Sequence, residues 1–266
     1  MQSMSAQESE RSAAERGEAL KEVFAQARGC VRCPELAATR KTVVFGAGNA
    51  NADLMFVGEA PGASEDEQGV PFVGRAGKLL EQLLGEIGLA RSEVFIANTL
   101  MCRPPGNRDP QPIELEHCHE YLLRKVELIQ PTVICTLGNF STKLLRGDPT
   151  GITRLHGQPE VLTLGRRAVR LYPIFHPAAA LYTPSMLETL REDFTRLPEL
   201  LALGPPHQSR ETLASGEHPR FGQPPRVEAP EVEDPGVAPE PETPRHTADA
   251  PSGGGQAEEI DQLGLF

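Results

Sequence analysis

Between Gly58 and Leu80 the chain reads G-E-A-P-G-A-S-E-D-E-Q-G-V-P-F-V-G-R-A-G-K-L-L, and this stretch constrains the fold more than any other. An apolar run, Leu54 to Val57, precedes it, and Leu79, Leu80, Leu83, Leu84 and Ile87 follow at helical spacing. The stretch therefore sits at the carboxyl end of a strand in a βα unit, where ligands bind in open α/β sheets. Gly58, Gly62, Gly69, Gly74 and Gly77 allow close backbone approach, while Pro61 and Pro71 stiffen the loop around Glu59, Glu65 and Asp66. Glycines at this density beside a buried strand read as a ligand loop, not a linker.

Taken in order, the flanking segments alternate between strand and helix signals. Residues 1–16 read as a flexible polar leader, and Glu18 to Ala27 as a short helix stopped by Gly29. Thr42 to Phe45, Leu54 to Val57, Val94 to Asn98, Thr132 to Leu137, Val161 to Leu164 and Ala168 to Phe175 read as strands. Helices are expected from Pro112 (with Leu115, Cys118, Leu122, Val126 and Ile129 inward), over Asn139 to Arg146, and over Leu187 to Leu203. The pattern predicts an α/β fold, a three-layer α/β/α sandwich around a short, mostly parallel central sheet. Its domain spans residues 17–204.

Residues 205–266 differ in kind. They hold four arginines against twelve acidic residues and eleven of the chain's 25 prolines, which leaves a net charge of −3 for residues 1–204 out of −11 overall. So few aliphatic side chains cannot offset the entropy of ordering, so 205–259 reads as a disordered acidic, Pro-rich tail. At its end, 260–266 is different again: Gln262, Leu263, Leu265 and Phe266 form Q-L-G-L-F. No run of eighteen apolar residues exists and residues 1–10 lack the apolar core of a signal peptide, so a cytoplasmic location is expected.

Cys30-Val31-Arg32-Cys33 has metal-ligand spacing, and Cys102 and Cys118 could complete a closed four-thiolate site that pins the N-terminal segment to the loop after Asn98. Zinc and an iron–sulfur cluster both take four cysteines, two free buried pairs are the remaining alternative, and spacing does not choose among them. Cys135 lies inside a strand and reads as a small buried residue. Asn98 and His176 each fall at the end of a strand, as Gly58 does. Asn98 offers both a donor and an acceptor, which suits the edge of a nucleobase, and Phe72 could stack on a planar ring.

The set G-E-A-P-G, P-F-V-G-x-A-G-x-L-L, N-T-x-x-C-R-P-P-x-N-R and H-P-A-A, in this order with these four cysteines, resembles the family 4 uracil-DNA glycosylases over roughly residues 20–204. The resemblance implies a four-iron, four-sulfur (4Fe-4S) cluster on Cys30, Cys33, Cys102 and Cys118, with a structural role. It implies a uracil pocket made of Gly58, Glu59, Ala60, Phe72, Asn98 and His176, with Glu65 on the side of the uracil C5 atom. In a related branch of the superfamily an Asp that positions the hydrolytic water stands where this chain has Ala60, so water is to be held by Glu59 or by backbone carbonyls of the loop, of which Glu59 is favoured. The family commonly carries Arg where this chain has His156.

On this reading the enzyme flips uracil out of DNA and hydrolyses its N-glycosidic bond, with His176, Glu59 and Asn98 as catalytic residues. A non-turnover uracil-DNA binding protein and a metal-stabilised interaction module are the alternatives. No K-R-R-I-H insertion of the kind used for covalent trapping follows Pro105, which favours turnover. Arg103, Asn107 and Arg108, on a loop stiffened by Pro104 and Pro105, are expected to contact phosphates of uracil-containing DNA. Q-L-G-L-F resembles the peptide by which bacterial DNA-processing proteins bind the sliding clamp. The protein is expected to be monomeric and nucleoid-associated during repair.

Overall fold

A computed structural model describes residues 12–208. Helix α1 (Ala13–Arg28) starts earlier than apolar spacing predicts, because Ser12 and Glu15 form a capping box. The Ser12 N–H donates to the Glu15 carboxylate at 2.7 Å and the Glu15 N–H donates to the Ser12 hydroxyl at 3.3 Å. The expected leader is thus helical from residue 13, and residues 1–11 lie outside the described residues, as do 209–266 with most of the expected tail and its Q-L-G-L-F end. The chain is still packed at Gln208, whose side chain exchanges hydrogen bonds with the Ala168 backbone at 2.9 and 2.8 Å.

After α2 (Pro34–Thr39) come β1 (Ala47–Gly48), β2 (Leu54–Gly58), α3 (Ala63–Gln68), α4 (Arg75–Glu86) and β3 (Phe95–Asn98). They are followed by α5 (Pro112–Ile129), β4 (Val133–Leu137), α6 (Asn139–Arg146), α7 (Ile152–Leu155), β5 (Glu160–Leu164) and β6 (Arg167–Ile174). Three helices close the domain: α8 (Pro177–Ala180), α9 (Pro184–Thr195) and α10 (Leu197–Ala202). The strands form one sheet in the order β1-β3-β2-β4-β6-β5, parallel at its centre and antiparallel at both edges.

Every residue of β2, β3 and β4 is buried, as a parallel sheet covered on both faces requires. Met55 and Val57 belong to a core with Leu20 and Val23 of α1, Leu36 of α2 and Leu122 and Val126 of α5. Leu54 and Phe56 belong to a second core with Leu80, Leu83 and Leu84 of α4, Leu190 and Phe194 of α9 and Leu197 of α10. The strand's period of two therefore feeds two helical layers, and the expected three-layer sandwich is what forms. Phe56 stacks on Phe194 at 6.0 Å between ring centroids, and its truncation to Ala would cost about 3–5 kcal/mol.

Three expectations are corrected. Thr42 to Phe45 is extended and mostly buried but joins no ladder; Val44 instead donates its N–H to the Met101 carbonyl at 2.8 Å. The edge strand is Ala47–Gly48, where a Cβ on Gly48 (φ 126) would fall 1.9 Å from the Val94 carbonyl oxygen, so only glycine lets the edge approach. The glycine-rich loop contains a helix, α3, closed by Gly69 at φ 72. Finally, the long terminal helix is two, because Pro198 has no N–H to donate to the Phe194 carbonyl, which receives the Arg196 N–H instead.

Candidate active site

The four parallel strands end on one edge, and three of those ends carry the expected site residues. Gly58 and Asn98 are opposed in register at the ends of β2 and β3, and His176 stands two residues beyond β6. Asn98 is 3% exposed, yet its Oδ1 finds no hydrogen-bond partner among the described residues. A buried, unpaired amide oxygen costs about 1–3 kcal/mol, a penalty that a ligand N–H would remove. Gly58 leaves the room: a Cβ there would lie 2.5 Å from Asn98 Oδ1 and 2.9 Å from the Phe72 ring.

Phe72 is held with unusual firmness. Its backbone is in the left-handed region at φ 54, uncommon for an aromatic residue. Arg91 donates to the Phe72 carbonyl at 3.3 Å and also to that of Pro71. The N–H groups of Val73 and Gly74 donate to Glu65 Oε1, both at 3.0 Å, which ties α3 to the start of α4. On α4 itself, Gly77 admits the Phe72 backbone, since a Cβ there would stand 1.7 Å from the Phe72 carbonyl oxygen. Glu65, expected on the C5 side of a base, thus spends its carboxylate on the loop that carries the aromatic ring.

The Phe72 and His176 rings lie 5.5 Å apart at 28°. Two stacking gaps would need about 7 Å, so a planar base cannot slot between them; it takes one face of Phe72 and presents an edge to the histidine. His176 caps α8, and its Nδ1 accepts the Ala178 N–H at 3.0 Å. That contact requires an unprotonated Nδ1, so the neutral ring carries its proton on Nε2. Burial pushes the His176 pKa down to about 4 against a smaller opposing pull from Glu65. The residue is therefore a neutral N–H donor at pH 7. Behind it, Gly138 (φ 91) leaves space where a Cβ would meet the His176 Cβ at 3.0 Å.

Glu59 is half-buried, and its carboxylate pKa is raised, by burial first and by Asp109 second. Its carbonyl oxygen already accepts the Thr99 hydroxyl at 2.6 Å and the Leu100 N–H at 3.0 Å, while the Gly58 carbonyl accepts the Thr99 N–H at 2.9 Å. Neighbouring Ala60 contributes no polar side chain. Both backbone carbonyls thus tie this strand end to the start of the loop after β3.

The four cysteines of the expected metal site are free thiols that come together from three segments. Burial, then Glu114, Cys102 and Cys30, push the Cys33 pKa up to about 11. Burial pushes Cys118 up to about 12, with Cys102 and Cys33 adding to the rise and the Met101 backbone and Lys125 opposing it. Such mutual influence means that the sulfurs share one neighbourhood. Arg40 Nη1 donates to Cys102 Sγ at 3.2 Å, His117 Nδ1 lies 3.4 Å from Cys33 Sγ, and the Tyr121 hydroxyl is within hydrogen-bonding reach of Cys30. Among the described residues no three His, Cys, Asp or Glu side chains converge on a point as one ion would require. A cubane presents a separate iron to each of four thiolates, so its ligands need not converge in that way, and the donor set fits it. Cys135, by contrast, is fully buried in β4, as a structural thiol should be.

Residues 45–199 match the family model for the uracil DNA glycosylase superfamily. The chain is 43% identical over 187 residues to the type-4 uracil-DNA glycosylase of Archaeoglobus fulgidus, covering 69% of this chain and 94% of that protein. It is 44% identical over 185 residues to that of Saccharolobus solfataricus, covering 68% and 85%. With the Thermotoga maritima protein of the same name the figures are 42% over 164 residues, 61% and 83%. The chain belongs to the type-4 branch of the uracil DNA glycosylase superfamily.

In this type-4 member the loop after β3 divides its polar side chains between two settings. Arg103 donates to Asn107 Oδ1 at 2.8 Å, and both side chains stay at the surface. Arg108 instead forks onto Glu114, at 3.0 and 2.7 Å, and reaches Glu35 at 2.9 Å. These ion pairs engage the guanidinium that the sequence offers to a phosphate. His156 places Nδ1 3.1 Å from the buried Asp193 carboxylate and its ring 4.5 Å from that of Phe175.

Two residues at the pocket escaped sequence reasoning. Arg91 lies 19 residues from Phe72 in a segment without a motif. Tyr182, 76% exposed, stands just beyond α8 and is braced by Arg75 at the start of α4, which donates to its hydroxyl at 3.2 Å and lies 5.3 Å from its ring. No helix among the described residues is long and apolar enough to cross a membrane.

Proposed function

We propose that the protein is a uracil-DNA glycosylase, a hydrolase that draws a uracil nucleotide out of DNA and cleaves the bond from base to sugar, leaving an abasic site. The observation that carries this reading is the unpaired, buried Oδ1 of Asn98 beside the Phe72 ring. An acceptor without a donor selects a base edge that brings an N–H. Uracil presents N3–H next to the O4 acceptor, matching the Asn98 amide group atom for atom, whereas cytosine presents the opposite polarity. Thymine has the same edge, so its methyl group must be refused sterically; Glu65 serves this by fixing Val73 and Gly74, which hold the Phe72 face in place.

Extruding the nucleotide costs a few kcal/mol, offset by stacking on Phe72 and by the Asn98 pair. As the glycosidic bond breaks, negative charge grows on uracil O2 and positive charge on the sugar. His176, neutral with Nε2–H as its only donor, gives a hydrogen bond that strengthens with that charge, and such a donor is worth about 10²–10³ in rate. Glu59 holds the water that captures the sugar. Tyr182 fills the stack that the base has left. Cys30, Cys33, Cys102 and Cys118 would hold a four-iron, four-sulfur cluster, which, when bound, cross-links three segments around the loop after β3. Arg103 and Asn107 supply phosphate contacts.

Release of free uracil from uracil-containing oligonucleotides under multiple turnover tests the reading. Stoichiometric capture without turnover would make this a binding protein. Gln262, Leu263, Leu265 and Phe266 we assign to the sliding clamp, tethered by the acidic tail. Deleting 262–266 should abolish clamp binding and leave excision from short oligonucleotides unchanged; clamp binding that survives the deletion removes the assignment.

A further inference from the structure

The Arg40 guanidinium is unlike the other arginines around the cysteines, because it touches the ligand set itself. One arm, Nη1, donates to Cys102 Sγ at 3.2 Å, and the other, Nη2, donates to the Cys30 backbone carbonyl at 2.7 Å. It thereby spans two of the three segments that supply thiolates. Arg40 lies at the C-terminal end of α2, only seven residues after Cys33, so its position is set by the same short segment that carries the first ligand pair. Among the described residues no carboxylate takes an ion pair with it: the acids nearby are committed elsewhere, Glu35 and Glu114 to Arg108 and Asp66 to the N–H groups of Lys41 and Thr42. Its charge is shared between the Cys102 sulfur and the Cys30 carbonyl.

We propose that Arg40 is the residue that sets the electron affinity of the iron–sulfur centre, by a charged hydrogen bond to the Cys102 sulfur; this rests on the cluster reading above. One electron enters a four-iron centre without breaking a bond, and the assembly of cluster and four thiolates gains one unit of negative charge. A permanent cation on a ligand sulfur stabilises the more negative state more than the less negative one, so it raises the reduction potential. Hydrogen bonds to cluster sulfurs act in the same direction. Arg40 is thus a positioning and tuning residue, remote from the uracil pocket in its contacts.

The full-length protein, purified anaerobically, first gives its iron and sulfide content. Lack of both in the wild type would overturn the cluster reading, and this proposal with it. With the centre present, midpoint potentials are compared for wild type, Arg40→Gln, Arg40→Lys and the surface control Lys21→Gln. Arg40→Gln should lower the reduction equilibrium constant tenfold or more, which for one electron is about 59 mV. Arg40→Lys keeps charge but loses the fork, so its midpoint should fall by a smaller amount, roughly threefold in that constant, and it carries the measurement if the Gln variant fails to assemble. Lys21→Gln should match the wild type. A midpoint within twofold of wild type in both Arg40 variants, or in Arg40→Lys where only that variant assembles, would overturn the proposal, as would a shift of equal size in Lys21→Gln.

Discussion

Arg108 and Glu114 form a two-pronged ion pair, at 3.0 and 2.7 Å, in which the acid side chain is 4% exposed. The same guanidinium reaches Glu35. Glu35 follows Cys33, Arg108 follows Cys102 and Glu114 precedes Cys118, so one arginine stitches together the three segments that carry the four cysteines. Glu114 is held below the usual carboxylate range, by Arg108 above all. Arg108→Gln leaves that buried acid without its cation. The expected outcome is a several-fold faster loss of iron on exposure to a chelator, with the salt dependence of DNA binding unchanged. Arg103→Gln should do the reverse, flattening the slope of log K against log salt by about one unit while iron retention holds.

Phe72 depends on a glycine it does not neighbour in sequence. Gly77→Ala would place a Cβ 1.7 Å from the Phe72 carbonyl oxygen, a clash with backbone that no rotamer change relieves. Loss of uracil excision by at least 10²-fold is expected, since misplacing a stacking wall by 1 Å can cost that much. Gly58→Ala offers a second comparison, because its Cβ meets side chains, Asn98 Oδ1 and Phe72, where that of Gly77→Ala meets backbone. Single-turnover rates measured for both variants, beside circular dichroism to show that they fold, would rank the two contacts. Equal and near-normal rates would remove Phe72 from the mechanism.

How far this was legible in the chain depends on how local each signal was. Gly58, Asn98 and His176 could be read because each sits where an apolar run stops, and strand ends on one edge of a parallel sheet are where ligands bind. The roles of Arg91 and Arg40 could not, since their partners lie 19 and 62 residues away and an arginine's target leaves no periodic trace. Thr42 to Phe45 misled because a β-branched apolar run reports burial, and burial does not require ladder pairing.

His176 sets the acid limb of the pH profile. Its pKa in the folded protein is about 4, below the ordinary histidine value of 6.5, because burial disfavours the charged ring. The neutral Nε2–H donor therefore persists down to about pH 4, and kcat/KM should show no inflection near 6.5 from this group. The stability sign follows from the same shift. Between pH 6.5 and 4 the unfolded chain binds the proton and the folded chain does not, so this contribution is complete above 6.5 and is lost as pH falls through 4. Denaturant titrations at pH 7 and pH 5 should show that loss, and His176→Gln should reduce it. A ring titrating at 6.5 by NMR would show that Nδ1 is not held by Ala178.

Tyr182 separates duplex from single-stranded substrates. In a duplex the extruded uracil leaves a gap between stacked neighbours, and a planar side chain that occupies the gap slows return of the base. Arg75, three residues after Phe72, holds the Tyr182 ring just beyond α8 while three quarters of its surface faces solvent. Single-stranded DNA closes no stack behind the departing base, so the same ring has less to do there. Tyr182→Ala should therefore lower excision from duplex about tenfold or more, in keeping with the roughly 1–3 kcal/mol that stacking on an aromatic side chain is worth, and leave single-strand excision within about twofold. Tyr182→Phe keeps the ring and loses the Arg75 hydrogen bond, so it should fall between the two. Parallel losses on both substrates in Tyr182→Ala would assign this tyrosine to general DNA contact and take it out of the stack.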